Sequence, residues 1–255
     1  MAVIKAGALY QQVAQEMRKA IAAGRWSPGE KIPTEDKLTA LYSVSRPTVR
    51  QAVAALRAEG LLDVQQGRGT FVRAQEAAEP ISLTRVITRA GKRFITDSDG
   101  WAEQGTPTVY RVRLEPSAAV LLHTDGGEAA YLVERMLIHE PGGTRARHGT
   151  LMPMEQLTGT PLAKDPAVPT AQAYTQLTAA HGVLEWRETV NARMPQPDER
   201  ATLNLPEFTP LLISQRVTRT QADHRPLMLE TIAMGAGTAQ MAFTVRPTTV
   251  RAHQG

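Results

Sequence analysis

The chain contains no cysteine, which excludes disulfides, thiolate chemistry and cysteine-based metal or redox sites. Aromatic residues make up only 5% of its 255 positions. No apolar run approaches the roughly 18 residues needed to span a bilayer, and MAVIKAGALYQQ lacks a signal-peptide core. A cytoplasmic location is therefore expected. The patterns HExxH, GxSxG and GxxxxGKS/T are all missing. GAGT at 235–238 is too short for a dinucleotide loop, because no third glycine in a strand-then-helix context follows. The six histidines are scattered without metal-ligand spacing. These absences point to a non-enzyme with no metal and no cofactor. Repeats and low-complexity tracts are absent as well.

What the chain does have is charge in one place. Residues 1–73 carry 11 lysines and arginines against 6 acids, whereas the remainder carries 18 against 19. A basic segment on a balanced chain suits counterion release from DNA, with a merely solvated basic face as the alternative. Within it, Leu9, Val13, Met17 and Ile21 recur every fourth residue and predict an amphipathic first helix. Gly24 stops that helix and Pro28-Gly29 turns the chain. Thr34 is a suitable N-cap for a second helix, with Glu35 and Asp36 in its first turn and Leu38 and Leu41 expected inward.

Ser45 can cap a third helix whose first turn tolerates Pro47. Val49, Val53 and Leu56 define its buried face. Arg46 and Arg50 lie one turn apart near its start, where a recognition helix touches base edges. Their planar forks match guanine O6 and N7. Ser45, Thr48 and Gln51 can reach phosphates or adenine edges, while Arg57 lies further along, suited to the C-terminal dipole or an ion pair. Gly67 and Gly69 permit a tight turn between Leu62–Val64 and Thr70–Val72. Gln66, Gly67 and Arg68 would then lie along a minor groove or phosphate ridge. The alternative is an ordinary exposed hairpin.

The ordered set LYQQVAQEMRKAI, GRWSPGEKIPTEDKL, YSVSRPTVRQAVAALRAEGLL and QQGRGTFV resembles the winged helix-turn-helix domain of the GntR family of bacterial transcription regulators. The resemblance covers the first 73 residues almost without gaps. It departs at one position: the family often places an arginine after the helix-two glutamate, and here Asp36 stands there, with Lys37 next. An aspartate repels phosphate; Lys37 remains a candidate contact.

Residues 74–106 read as a linker region with a possible short strand, a Gly91-Lys92 turn and an acidic turn before Trp101, able to pack on either side. From Pro107 to residue 246, strand-like runs (TVYRVRLE, AYLVERMLIHE, TRARHGTLMP, EWRETVNARM, LLISQRVTRT, RPLMLETIAM, MAFTV) alternate with helical stretches near Pro116–Leu122, Ala171–His181 and Pro197–Leu205. Short turns between neighbouring strands imply a mainly antiparallel sheet half covered by helices, in an α+β chain. Residues 247–255 form a tail. After a GntR-type head, this layout is similar to the UTRA effector domain of the HutC subfamily, whose fold is similar to chorismate lyase.

That resemblance implies an effector site. Sugar-phosphate members bind phosphate with an Arg-x-Arg pair, and the matching residues are Arg135-Met136-Leu137, with one arginine kept. His148 matches a family acid, and Glu230 keeps a later one. Each has a bland alternative: Arg135 in a surface ion pair, His148 as a satisfied sheet histidine, Glu230 as a strand-edge charge. A sequence-specific repressor, bound as a homodimer to double-stranded operator DNA and modulated by a small molecule, is the expected function. One helix and one wing per monomer give little contact, and twofold pairing matches a palindrome. The family resemblance implies GT and AC flanks around an AT-rich centre. The alternatives are a DNA-binding control protein, for example plasmid-type, whose C-terminal domain only dimerises, and an enzyme carrying a DNA-binding head.

Overall fold

The computed structural model describes residues 6–65, 67–73, 81–96, 100–140, 143–206 and 208–243. The chain divides into two compact units, one running to residue 78 together with Pro206–Thr209, the other holding the rest. Among the described residues no helix is long and apolar enough to cross a membrane.

The first unit contains α1 (Ala6–Ala22), α2 (Glu35–Tyr42), α3 (Arg46–Ala58), β1 (Leu62–Gln65) and β2 (Gly69–Val72). The four-residue spacing in α1 places Val13 and Met17 in a core with Trp26, Ile32, Leu38, Val49, Ala52, Leu56, Leu62 and Val72. Gly24 at φ 72 ends α1 and lets the Arg25 N–H donate back to the Ala20 carbonyl. Ser45 caps α3 by accepting from the Thr48 N–H at 3.4 Å, and Pro47 sits in the first turn, where no intrahelical donor is lost. The wing pairs Leu62 with Val72 through to Gln65 with Gly69. Gly69 adopts φ 125, a backbone angle that L side chains rarely adopt, so the turn into β2 demands glycine. Two expectations need correcting. Leu41 is 52% exposed rather than inward, because α2 has only eight residues and a single row of contacts through Leu38. Thr34 occupies the N-cap position of α2 but makes no side-chain cap bond.

The second unit begins with β3 (Ile81–Thr84), β4 (Ile87–Ala90) and β5 (Arg93–Thr96), then β6 (Trp101–Arg113), α4 (Pro116–Leu122), β7 (Ala129–His139) and β8 (Thr144–Pro153). It continues with α5 (Thr170–His181), β9 (Leu184–Arg193), α6 (Pro197–Thr202), β10 (Leu211–Thr220), β11 (Pro226–Gly235) and β12 (Ala239–Ala242). A six-stranded sheet of order β6-β7-β8-β11-β10-β9 has antiparallel neighbours throughout. β12 pairs with β3 in parallel, and β4 with β5 as a hairpin. The expected boundary at Pro107 is therefore too late: the described residues 81–96 and 100–106 belong to this unit. β6 runs through Gly105 at φ 77 and Pro107, with a register shift between Gln104 and Thr108. Pro and Gly of that kind read as a loop in sequence, yet an edge strand tolerates both. The last strand also differs, since Ala239–Ala242 precedes most of the expected MAFTV run, whose final residues lie outside those described.

The sheet has two differently dressed faces. On one, α4 packs Ala118, Ala119 and Leu122 against Ala130, Val217 and Leu229, and Leu203 and Leu205, at and just beyond the C-terminal end of α6, cover Leu211 and Ile213. On the other, α5 and β5 build a cluster of Phe94, Tyr131, Val133, Met152, Tyr174, Leu177 and Met228, and β3 and β12 build a second with Trp101, Ile232 and Met234. The scarce aromatics are concentrated here. Phe94, Tyr174 and Trp186 meet edge to face, with ring centroids 5.2–5.9 Å apart, a favoured quadrupole arrangement.

Packing in the first unit makes two substitutions diverge. Leu56→Ala, at a fully buried site, should cost about 2–5 kcal/mol, whereas Leu41→Ala should change stability by less than about 0.5 kcal/mol. Urea titration of the full chain checks both; equal losses would contradict the placement of α2.

Candidate functional sites

The first site lies on α3 and the wing. Arg46 and Arg50 stand one turn apart, both exposed, as are Ser45 and Gln51; Thr48 is half-buried beneath them. Neither guanidinium is idle. Arg46 Nη2 lies 2.7 Å from Asp36 Oδ1, and Arg50 Nε donates to Glu35 Oε2 at 2.8 Å. The acidic first turn of α2 thus faces the start of α3 and holds both arginines toward it. Such exposed pairs are weak and exchangeable. Lys37 is exposed on α2. In the wing, Gly67 at φ 74 and Arg68 are exposed, and the Arg68 guanidinium lies 5.9 Å from the Phe71 ring centre. Gln66 lies outside the described residues.

The second site is a stripe of charge across the inner face of the large sheet, between its two apolar clusters. Strand register builds it. Arg135 pairs with His148 across β7 and β8, Glu230 with Arg216 across β11 and β10, and Arg216 with Glu188 across β10 and β9. Directly opposed residues share a face, so the charges line up from strand to strand. Arg85, between β3 and β4, covers the row. It donates to Glu188 Oε1 at 3.0 Å, Ser214 Oγ at 3.0 Å and Glu230 Oε1 at 2.9 Å. Arg216 binds Glu188 Oε2 at 2.6 Å and also donates to the Arg85 carbonyl at 2.5 Å. Tyr174 on α5 donates its hydroxyl to Glu230 Oε2. Arg135 gives two hydrogen bonds to the Ala167 and Val168 carbonyls, both 2.8 Å, and its Nε meets Glu103 Oε1 at 2.5 Å.

Arg85, Glu103, Arg135, His148, Tyr174, Arg216 and Glu230 line a cavity of about 260 Å³ together with the apolar Leu83, Trp101, Leu137 and Ile232. Its electrostatics follow from burial and pairing. Burial alone would raise the Glu230 carboxyl, but the Arg85 guanidinium, His148 and Arg216 pull it down to about 2. Burial lowers the His148 imidazole below its usual 6.5, outweighing the Glu230 carboxylate that would raise it. His148 Nε2 lies 3.4 Å from Glu230 Oε1 without an aligned hydrogen bond, so it is buried and unbonded among the described residues. Burial also raises the Tyr174 phenol, keeping it protonated as a donor.

The sequence model for "Bacterial regulatory proteins, gntR family" matches residues 9–72. This segment is a GntR-family helix-turn-helix domain. Over 83 residues the chain is 46% identical to the "Probable fructoselysine utilization operon transcriptional repressor" of Escherichia coli (strain K12), covering 32% of this chain and 34% of that protein. It is 43% identical over 67 residues to the "Mannosyl-D-glycerate transport/metabolism system repressor MngR" of the same strain, covering 26% and 28%. The chain thus spans about a third of the length of the curated relatives it matches. A solved structure described as a GntR-family transcriptional regulator superposes with a TM-score of 0.71 at 23% identity, covering 94% of this chain and 98% of that one. That likeness is one of fold, extending through the second unit beyond the GntR domain.

Of the residues picked from sequence, the GntR domain places Ser45, Arg46, Thr48, Arg50 and Gln51 together at the start of α3, with Lys37 on α2 and Gly67 and Arg68 on the wing. Arg135, His148 and Glu230 line one cavity, and Arg135 also makes the ion pair with an exposed acid that its alternative reading expected, through Glu103. Glu230 is 1% exposed in a central strand, not at an edge. Sequence reasoning missed Arg85, Glu188, Arg216 and Tyr174. Period-2 alternation carried a signal for two of them, since Arg216 and Glu188 stand among alternating residues of otherwise ordinary strands. Arg85 had none.

The depressed groups fix the sign of the acid response. His148 stays neutral in the fold but takes a proton when unfolded, so stability falls as pH drops below about 6.5. Glu230 adds stability above its unfolded value of 4.5 and loses it as pH falls toward about 2. The wild-type chain should therefore lose stability between pH 7.5 and pH 5.5, and His148→Gln should flatten that loss. An unchanged pH slope in denaturant titrations of the variant would remove His148 from the account.

Proposed function

We propose that the chain is a transcriptional repressor of the HutC type, acting as a homodimer in the cytoplasm, whose GntR domain binds operator DNA and whose second unit is a UTRA-like ligand-binding domain with a chorismate-lyase-like fold. The observation that carries the first half is the pair of exposed arginines, one turn apart at the N-terminal end of α3. They sit where a helix entering the major groove meets base edges, on the unit that holds the chain's surplus positive charge. The second half is supported by the cavity with buried charges and an unbonded His148 Nε2. A domain that served only to dimerise gains nothing from such a cavity, since buried ionic groups are costly unless they do something specific. Dimerisation itself has two candidate edges, β6 and β9, which end the large sheet. A ligand regulates only if it favours one arrangement of the heads over the other.

Arg50 and Arg68 should separate base reading from backbone holding. With DNA recovered from a random pool by the purified protein, Arg50→Ala should lose about 1–3 kcal/mol on the selected site and relax its preference over scrambled DNA. Arg68→Ala should weaken both DNAs alike. Equal losses on both DNAs for Arg50→Ala would remove it from base readout.

The carboxylates of α2 compete with phosphate for the same guanidiniums. Asp36→Asn should therefore raise DNA affinity and steepen its salt dependence, because Arg46 no longer exchanges one anion for another. Fluorescence anisotropy across a salt series measures both. A lower affinity would mean that Asp36 positions Arg46 for binding instead of restraining it.

A further inference from the structure

The guanidiniums of the stripe are not equally committed. Arg85 and Arg216 are bound to Glu188 and Glu230, whose side chains are only 16% and 2% exposed. Breaking either pair strands a charge in a dry interior. Arg135 differs. Its side chain is 6% exposed, but its acidic partner Glu103 is 42% exposed, on the edge strand β6 beside the register shift at Gln104. If Glu103 turned outward, water would take up its carboxylate at little cost, and Arg135 would remain buried and in need of an anion.

We propose that the cavity takes a small monocarboxylate whose carboxylate replaces that of Glu103 on Arg135, with Glu103 acting as its tethered stand-in. This rests on the reading of the second unit as ligand-binding. The charge arithmetic selects the class. Exchange of one carboxylate for another preserves the balance of the stripe. A phosphate monoester dianion brings a second negative charge, and the remaining buried cations are already paired with carboxylates. A neutral ester offers Arg135 nothing in place of Glu103.

Two further features describe the rest of the ligand. His148 is the cross-strand partner of Arg135, and its Nε2 is buried without a hydrogen bond. It therefore offers one bond to a hydroxyl or keto group close to the carboxylate, and that bond would satisfy an atom otherwise left short. Leu137, two residues beyond Arg135 on the same face, is the cross-strand partner of Glu103. Together with Leu83, Trp101 and Ile232 it forms an apolar wall suited to a short aliphatic or aromatic body.

The test uses the full chain with lactate, 2-hydroxybutyrate and mandelate, each beside its methyl ester, with phenylacetate and phenyl phosphate as further probes. Calorimetry and thermal shift read binding. At least one hydroxy acid should bind, its ester and the phosphate should not, and mandelate should exceed phenylacetate. Glu103→Gln, an exposed change, should tighten carboxylate binding by about fivefold because the internal competitor is gone. Arg135→Gln should abolish it. The proposal is overturned if no carboxylate binds, if phenyl phosphate or an ester binds as tightly as the acid, or if Glu103→Gln leaves affinity unchanged or weaker. Anisotropy on selected DNA runs in parallel: a carboxylate that binds without altering DNA affinity upholds the ligand class and defeats the regulatory reading.

Discussion

The Glu230 carboxylate is the constraint around which the second unit is arranged. It is fully buried in the middle of a six-stranded sheet, where an unpaired charge would be ruinous. Its compensation arrives from three separate segments: Arg85 from the β3–β4 connection and Tyr174 from α5, both hydrogen-bonded to it, and Arg216 from β10, its cross-strand partner. Arg85 is 145 residues away in sequence. The segment carrying β3 to β5 cannot leave the sheet without stripping Glu230 and Glu188 of a shared cation. One carboxylate thus fixes the order of layers on the inner face, the placement of α5, and the floor of the cavity.

Charge satisfaction of this kind rarely adds net stability, because desolvation consumes most of the Coulombic gain. Its use lies elsewhere. Apolar clusters flank the stripe on both sides, and their attraction is non-directional. Arg85, which bridges Glu188 and Glu230 from one guanidinium, ties the covering segment to one position over the sheet. The stripe also leaves, at the mouth, a single guanidinium whose partner belongs as much to water as to the protein. The same economy recurs on the first unit, where exposed carboxylates of α2 hold the arginines of α3 in weak, exchangeable pairs.

The first unit was almost wholly legible in sequence, because its determinants are local. The four-residue apolar spacing of α1, the Ser45 cap with Pro47, and the glycines of the wing each act within a few residues of themselves. Leu41 was misplaced since a short helix gives periodicity too little length to define a face. In the second unit the long strands were readable from alternation, whereas of β3 to β5 only a possible short strand and the Gly91-Lys92 turn were, and the first half of β6 was not. Four-residue strands carry little pattern, and Gly105 and Pro107 imitate a loop although they lie within an edge strand. The cavity shows the same division. Arg135, His148 and Glu230 came from a resemblance to other proteins, but Arg85 becomes visible only when register and long-range packing bring it over the sheet. No spacing rule links residue 85 to residue 230.

A double-mutant cycle on Arg85→Met and Glu230→Gln, followed by urea unfolding of the full chain, tests the central role of this carboxylate most directly. Each single change leaves the other charge buried without its main partner and should cost about 3–5 kcal/mol. The double variant should be less destabilised than the sum of the two by more than about 1 kcal/mol, since the strongly coupled charges leave together. Costs that add to within about 0.5 kcal/mol would mean that Arg85 and Glu230 are independent, and the inner face of the sheet would then owe its arrangement to the apolar clusters alone.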